Sequence, residues 1–369
     1  MNKVNFFWFR RDLRLHDNCG LNHALSSGIP IVPIFIFDTN IIEQLPEDDA
    51  RITLIYNKLK ELNEELKNYN TSLLIKKGNP VTIFENLCKE YTIETIFSNE
   101  DYEPKAIDRD QKVTKSVSAY QVDFIQFKDQ VIFAKNDILK NDGTPYTVYT
   151  PYSKKWIAKL KDKEISQYPS ENLLTNLFKF SFQFPQLKDL GFIESTIGLR
   201  PVNLSEGLIA NYQETRNIPS IKGTSNLSPL LRFGFISVRE CVIEALKTSS
   251  KTFLKELIWR EFFMQILYHF PDSEKHNFKR KYDAILWRNN EEEFKKWCNG
   301  KTGYPIVDAG MRELNQTGYM HNRVRMICAS FLCKHLLIDW RWGEAYFALK
   351  LLDFDLAQNV GNWQWTAGT

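Results

Sequence analysis

The chain has 369 residues, 43% of them hydrophobic, and a formal net charge of +3. That is enough apolar material for a large core and two domains, and too weak a charge bias to name a nucleic-acid or membrane partner. Six scattered cysteines without a CxxC pair argue against a disulfide framework, six isolated histidines give no metal-ligand spacing, and Arg10 and Arg11 fall where a secretory leader needs its apolar run. The expectation is a soluble, cytoplasmic protein with reduced thiols and no metal.

In chain order, strand-like apolar runs occur at Val4–Phe9, Pro30–Phe37, Ser72–Lys76, Thr95–Ser98 and Val122–Phe127. Between them Ile52–Tyr69, Val81–Tyr91 and Lys105–Ala119 have the periodicity of amphipathic helices. Apolar strands alternating with helices predict a doubly wound parallel sheet covered on both faces over residues 1–130. From Phe133 to Asn203 the pattern fails and prolines recur, so residues 131–204 read as a long surface linker. From Ser205 almost everything reads as helix, with Ser237-Val-Arg-Glu240 as a capping box. Seven of the nine tryptophans lie after residue 250, and the net charge turns mildly positive in this half. The fold class is α/β joined to an all-α domain, residues 205–369.

Four segments carry chemistry. Gly223-Thr224-Ser225-Asn226-Leu227-Ser228 offers hydroxyls and backbone N–H groups before a helix, which suits a phosphate and equally a plain capping turn. Glu256 and Arg260 lie four apart with Trp259 beside them: a surface salt bridge, or a carboxylate in apolar surroundings with a raised pKa. Asn322, Arg325 and Met326 share one helical face, which could be solvated or functional. Asp355, Asn359 and Trp363 recur at four-residue spacing, and a carboxylate, an amide and an indole in a row look more like a cofactor wall than a core stripe. A buried carboxylate here would need Arg325 to match its charge.

In this order the segments resemble the photolyase/cryptochrome family over the whole chain. The matching runs are Trp8-Phe-Arg-Arg-Asp-Leu-Arg14 with Asp17-Asn18, Tyr212-x3-Arg216, Gly223-Thr-Ser-x-Leu-Ser228 and Glu256-Leu-Ile-Trp-Arg-Glu261. They continue with Gly300–Asp308, Met320–Met326 and Asn362-Trp-Gln-Trp365. The resemblance implies an α/β domain, a long linker and a helical domain that binds FAD and DNA. It implies that Tyr212, Thr224, Ser225, Asn226, Leu227 and Ser228 hold the FAD phosphates and ribityl chain. By the same resemblance Arg260, Asp353, Asp355 and Asn359 surround the flavin, and Arg325 pairs with Asp353. Glu256, Trp259, Asn322, Met326 and Trp365 would receive a flipped pyrimidine dimer, with Arg216 and Arg323 on the DNA backbone. Trp363, Trp340 and Trp287 match an electron-transfer chain running outward from the flavin.

Asn322, Met326 and Asn359 resemble class I enzymes that split cyclobutane pyrimidine dimers in UV-damaged DNA, so light-driven repair by a monomer is the expected activity. A cryptochrome-like blue-light sensor signalling through protein partners is the alternative. Asn99, Glu100 and Lys275 resemble antenna-contacting positions, for methenyltetrahydrofolate or a deazaflavin. Asn226 stands where a basic residue is common and Phe253 where a tryptophan is. The chain ends at Thr369 where family members continue, which reads as a C-terminally incomplete helical domain.

Overall fold

The computed structural model describes residues 3–162 and 164–369. They form two compact units. The first comprises Met1–Ile132, Lys163–Thr196 and Leu230–Cys241. Its five strands are β1 (Lys3–Phe9), β2 (Ile31–Asp38), β3 (Leu74–Gly78), β4 (Thr92–Asn99) and β5 (Asp123–Phe127). They pair in parallel in the order β3-β2-β1-β4-β5, a doubly wound sheet.

Strand periodicity divides the apolar residues between two cores. Val4, Phe6 and Trp8 of β1 meet Phe84 and Leu87 of α3 (Pro80–Glu90) and Val113 and Val117 of α4 (Pro104–Ser118) on one face. Phe7 and Phe9 meet Leu21 and Leu25 of α1 (Cys19–Leu25) and Leu59, Leu62 and Leu66 of α2 (Ala50–Lys67) on the other. Pro33 is tolerated inside β2 because the ladder to β3 starts only at Ile34, so its missing N–H forfeits no bond on that side. The strands fall within a few residues of the expected runs. Helix α1 is additional, because its short CGLNHAL run has too few residues to show a period.

Beneath the carboxyl ends of β1 and β4 lies a buried ionic network. Asp129, 1% exposed, accepts from Arg14 Nη2 at 2.6 Å, from Arg239 Nη2 at 2.9 Å and from the Cys19 amide at 3.1 Å. Arg239 Nε also meets both carboxylate oxygens of Asp17 at 3.0 Å, and Ser237 Oγ donates to Asp17 at 2.5 Å. Burial raises the Asp129 pKa, but Arg14 and Arg239 outweigh it and hold the carboxyl at about 2. Ser237 caps its helix by accepting from the Arg239 amide at 3.1 Å, so the cap read from sequence also aims Arg239 at this network.

The second unit comprises Phe133–Asp162, Ile197–Pro229 and Val242–Thr369. The stretch that looks irregular in sequence contains α5 (Tyr149–Lys161), with Tyr152 and Trp156 buried. Its Pro151 falls in the first turn, where an amide has no intrahelical partner to lose. The main helices beyond it are α6 (Thr252–His269), α7 (Glu291–Cys298), α8 (Pro305–Thr317), α9 (Asn322–Ser330), α10 (Trp340–Lys350) and α11 (Leu356–Ala367). The expected near-continuous helix is interrupted between His269 and Glu291, where only short 3-10 turns form. Among the described residues no helix is long and apolar enough to cross a membrane, and no group of three or more His, Cys, Asp or Glu could hold a metal.

The Asp129 network makes a measurable claim. Asp129→Asn should cost roughly 3–5 kcal/mol in chemical denaturation, since two buried guanidinium groups lose their counter-charge. The wild-type Asp129 contribution is complete above about pH 4, the ordinary carboxyl value, and should be lost as pH falls through the folded value of about 2.

Candidate cofactor and lesion site

The site is built in the helical unit from α6, α9 and α11 and the turns preceding them. Asp353 lies just before α11, and Arg325 of α9 reaches it with Nη2 at 2.8 Å while its Nε donates to the Met320 carbonyl at 2.7 Å. Ser228 Oγ donates to the same Asp353 oxygen at 2.6 Å. The other oxygen, Oδ1, is buried without a partner. A buried carboxylate oxygen left without a donor is costly, so this atom marks where a ligand N–H or O–H belongs.

Asp355 caps α11 by accepting from the Ala357 amide at 3.2 Å. One turn on, Asn359 donates its amide to Glu344 of α10, to Oε1 at 2.8 Å and to the backbone carbonyl at 3.0 Å. Burial raises the Glu344 pKa, and the Asn359 hydrogen bond pulls it part of the way back. The cavity beside these groups has a volume of about 80 Å³ and is lined by Asp353, Asp355, Asn359 and Trp363 from one segment and by Asn322, Arg325 and Met326 of α9. The four-residue spacing of Asp355, Asn359 and Trp363 thus lines one wall. The face of α9 carrying Asn322, Arg325 and Met326 turns to the same cavity.

Glu256 pairs with Arg216, not with Arg260, which its helical spacing suggests. A loop residue outcompetes the i,i+4 neighbour because exposed pairs along a helix contribute little. Burial raises the Glu256 pKa against the opposing pull of Arg216 and Arg323. Trp365, 67% exposed, lies edge-on to Trp259 at 5.9 Å and 86°. Arg323 Nε donates to Asn217 at 2.8 Å, and its Nη1 approaches the Met326 sulfur at 3.6 Å.

The Gly223–Ser228 run is held rather than open. Thr224 Oγ1 lies 3.5 Å from the Tyr319 hydroxyl, and Ser225 is buried with its carbonyl accepting from Asn203. Asn226 takes a left-handed backbone (φ 55°) and donates to the Pro201 carbonyl, while Leu227 is buried. The Ser228 hydroxyl serves Asp353 instead of facing outward as a phosphate donor. Tyr212 packs edge-on against Phe253 at 5.2 Å, and burial raises its hydroxyl to about 12. The Arg260 carbonyl accepts from Gln358 Nε2 at 2.8 Å.

Trp363 and Trp340 are buried and Trp287 is half-buried, all in one core cluster. Trp340 donates from Nε1 to Asn277 at 2.8 Å. Trp363 meets Phe347 edge-on at 5.1 Å and Trp297 at 6.2 Å. Sequence reasoning passed over Trp297, Phe347 and Glu344. An aromatic-rich segment was the one available signal for the first two, and nothing local identified Glu344 as the partner of Asn359. Of the antenna positions, Asn99 spends its amide on Asp12, Asn18 and the Gly20 backbone. Glu100 accepts from the Tyr102 hydroxyl at 3.2 Å. Lys275 belongs to the helical unit, and its carbonyl accepts from Arg341.

The chain thus combines a parallel doubly wound unit with a helical unit that holds a polar cavity in which Arg325 matches the charge of Asp353. Residues 5–170 match the family model described as DNA photolyase, and residues 253–369 match the one described as FAD binding domain of DNA photolyase. A deoxyribodipyrimidine photo-lyase of a Synechococcus species is 36% identical over 390 residues, covering 98% of this chain and 81% of the relative. Among solved structures, a bacterial class III photolyase from Agrobacterium tumefaciens has a TM-score of 0.86 at 32% identity, covering 100% of this chain and 80% of that one. An archaeal photolyase from Sulfolobus tokodaii with two FAD molecules has a TM-score of 0.81 at 35% identity, covering 99% and 83%. The chain belongs to the DNA photolyase family.

Packing around Trp363 sets a test. A Cβ at Gly343 of α10 would stand 2.1 Å from Trp363 Cη2. Gly343→Ala should therefore cost roughly 1–3 kcal/mol and alter the near-UV circular dichroism of the indole, with the fold retained in the far-UV.

Proposed function

We propose that this protein is a deoxyribodipyrimidine photo-lyase that uses FAD to repair cyclobutane pyrimidine dimers in UV-damaged DNA. One observation carries the reading: a single cavity has Asp353, Asp355 and Asn359 on one wall and Asn322 and Met326 on another. The residues fit FAD, since the orphaned Asp353 Oδ1 needs a ligand donor and Arg325 already matches the charge of the carboxylate. Asp353, Arg325, Asp355, Asn359 and Arg260 would hold the flavin end, and Tyr212 with Thr224–Leu227 the phosphates and ribityl chain, the Ser228 hydroxyl being engaged by Asp353. When bound, reduced FAD would supply light-driven one-electron chemistry for splitting the cyclobutane bonds, with no net redox change.

The chain's own residues do the rest. Trp259 and Trp365 offer apolar faces to the two pyrimidines once they leave the stack. Burial raises the Glu256 pKa against the pull of Arg216, and in its protonated form the carboxyl can donate a hydrogen bond to a pyrimidine carbonyl as negative charge grows there. Arg323 and Arg216 attract the phosphates on either side. Trp363, Trp340 and Trp287 would relay electrons inward to keep the flavin reduced.

The test is restoration of a thymine-dimer oligonucleotide by reduced, FAD-loaded protein in blue light against a dark control. Repair in the light alone is expected, and its absence with FAD retained would overturn the reading. Asp353→Asn should release FAD on gel filtration, because a neutral amide cannot answer Arg325. Glu256→Leu should slow repair roughly ten- to a hundredfold with FAD retained, and Glu256→Gln, which keeps a neutral donor, should slow it less.

A further inference from the structure

We propose that Tyr149 is a positioning residue of the lesion pocket, fixing the plane in which the Trp259 indole meets a flipped dimer. This rests on the assignment of Trp259 to that pocket. Tyr149 opens α5, in the stretch that sequence reads as linker, and its ring lies flat on Trp259 with 3.5 Å between centroids and 5° between planes. Its hydroxyl donates to the Lys255 carbonyl, one turn before Trp259 on α6, at 2.9 Å. Its ring also meets Phe262 edge-on at 5.8 Å. The phenol is thus held at its face, its edge and its tip. Burial and the nearby Glu256 charge raise its ionisation well above the ordinary tyrosine value, so it stays a neutral donor.

Tyr149 does not depend on the stack to stay in place. Two residues past Trp259, the buried carboxylate of Glu261 accepts from Trp156 Nε1 at 2.6 Å and from the Phe133 amide at 3.0 Å. Gln265 Nε2 donates to the Phe133 carbonyl at 3.0 Å. These bonds clamp both the start of the segment and α5 to α6. An indole held only by Phe262 and Phe263 along α6, at 5.7 and 5.5 Å, and by the exposed Trp365 would keep more side-chain freedom, and each incoming base would have to order it. With one face covered by Tyr149, Trp259 is ordered beforehand and stands at 86° to Trp365.

The experiment uses the full, FAD-loaded chain with Tyr149→Met, Tyr149→Phe and Trp259→Leu. Dissociation constants are measured for an oligonucleotide carrying one thymine dimer and for its undamaged counterpart. Tyr149→Met should weaken dimer binding roughly five- to tenfold and leave undamaged DNA unchanged, while Tyr149→Phe, which keeps the ring, stays within about twofold of wild type. If Tyr149→Met binds the dimer normally and Trp259→Leu does not, the positioning role is overturned and the pocket stands. If neither substitution changes dimer binding, the pocket assignment falls with it. Should Tyr149→Met lose flavin or helix content, Tyr149→Leu repeats the comparison, and equal weakening toward both oligonucleotides would overturn the proposal.

Discussion

Buried carboxylates that must be answered by donors organise both units. An isolated ionised group in a protein interior costs several kcal/mol or more, so Asp129 can be 1% exposed only because Arg14, Arg239 and the Cys19 amide converge on it. That requirement draws the Leu230–Cys241 segment into the α/β unit. In the helical unit Glu261 does the same for Phe133 and Trp156, and so carries α5 onto α6. Asp353 is the third case and is left one donor short. Two of these groups are complete within the protein and serve the fold. The incomplete one lies in the cavity.

The aromatic residues obey a different constraint, close packing. Trp297 stacks on Phe347 at 5.8 Å and 13°, both meet Trp363 at steep angles, and Gly343 leaves the space that Trp363 occupies. Such packing leaves indoles few rotamers and short gaps, which suits electron transfer between rings that must not move. Trp259 and Trp365 are the contrast, half-buried and exposed respectively. Burial thus separates the indoles packed in the core from those at the rim.

Asn359 shows how a neutral side chain is kept in place at the cavity wall. Glu344 accepts its amide protons, and burial raises the Glu344 pKa. Both protonation states of Glu344 can accept, so the orientation of Asn359 does not depend on which is present.

By itself the sequence determined whatever is periodic or ordered along the chain. The apolar run Val4–Phe9 located β1, and successive motifs from Trp8 to Trp365 named the family. Four-residue spacing placed Asp355, Asn359 and Trp363 on one wall. Tertiary structure alone decided the partners, because partners far apart in sequence leave no local pattern. It gave Glu256 to Arg216 rather than Arg260, Asn359 to Glu344 and Asp129 to Arg239. It turned part of an apparent linker into α5 and laid Tyr149 on Trp259. Local propensity contributes only tenths of a kcal/mol per residue, whereas an unmatched buried charge costs several, so the distant partner wins wherever the two compete.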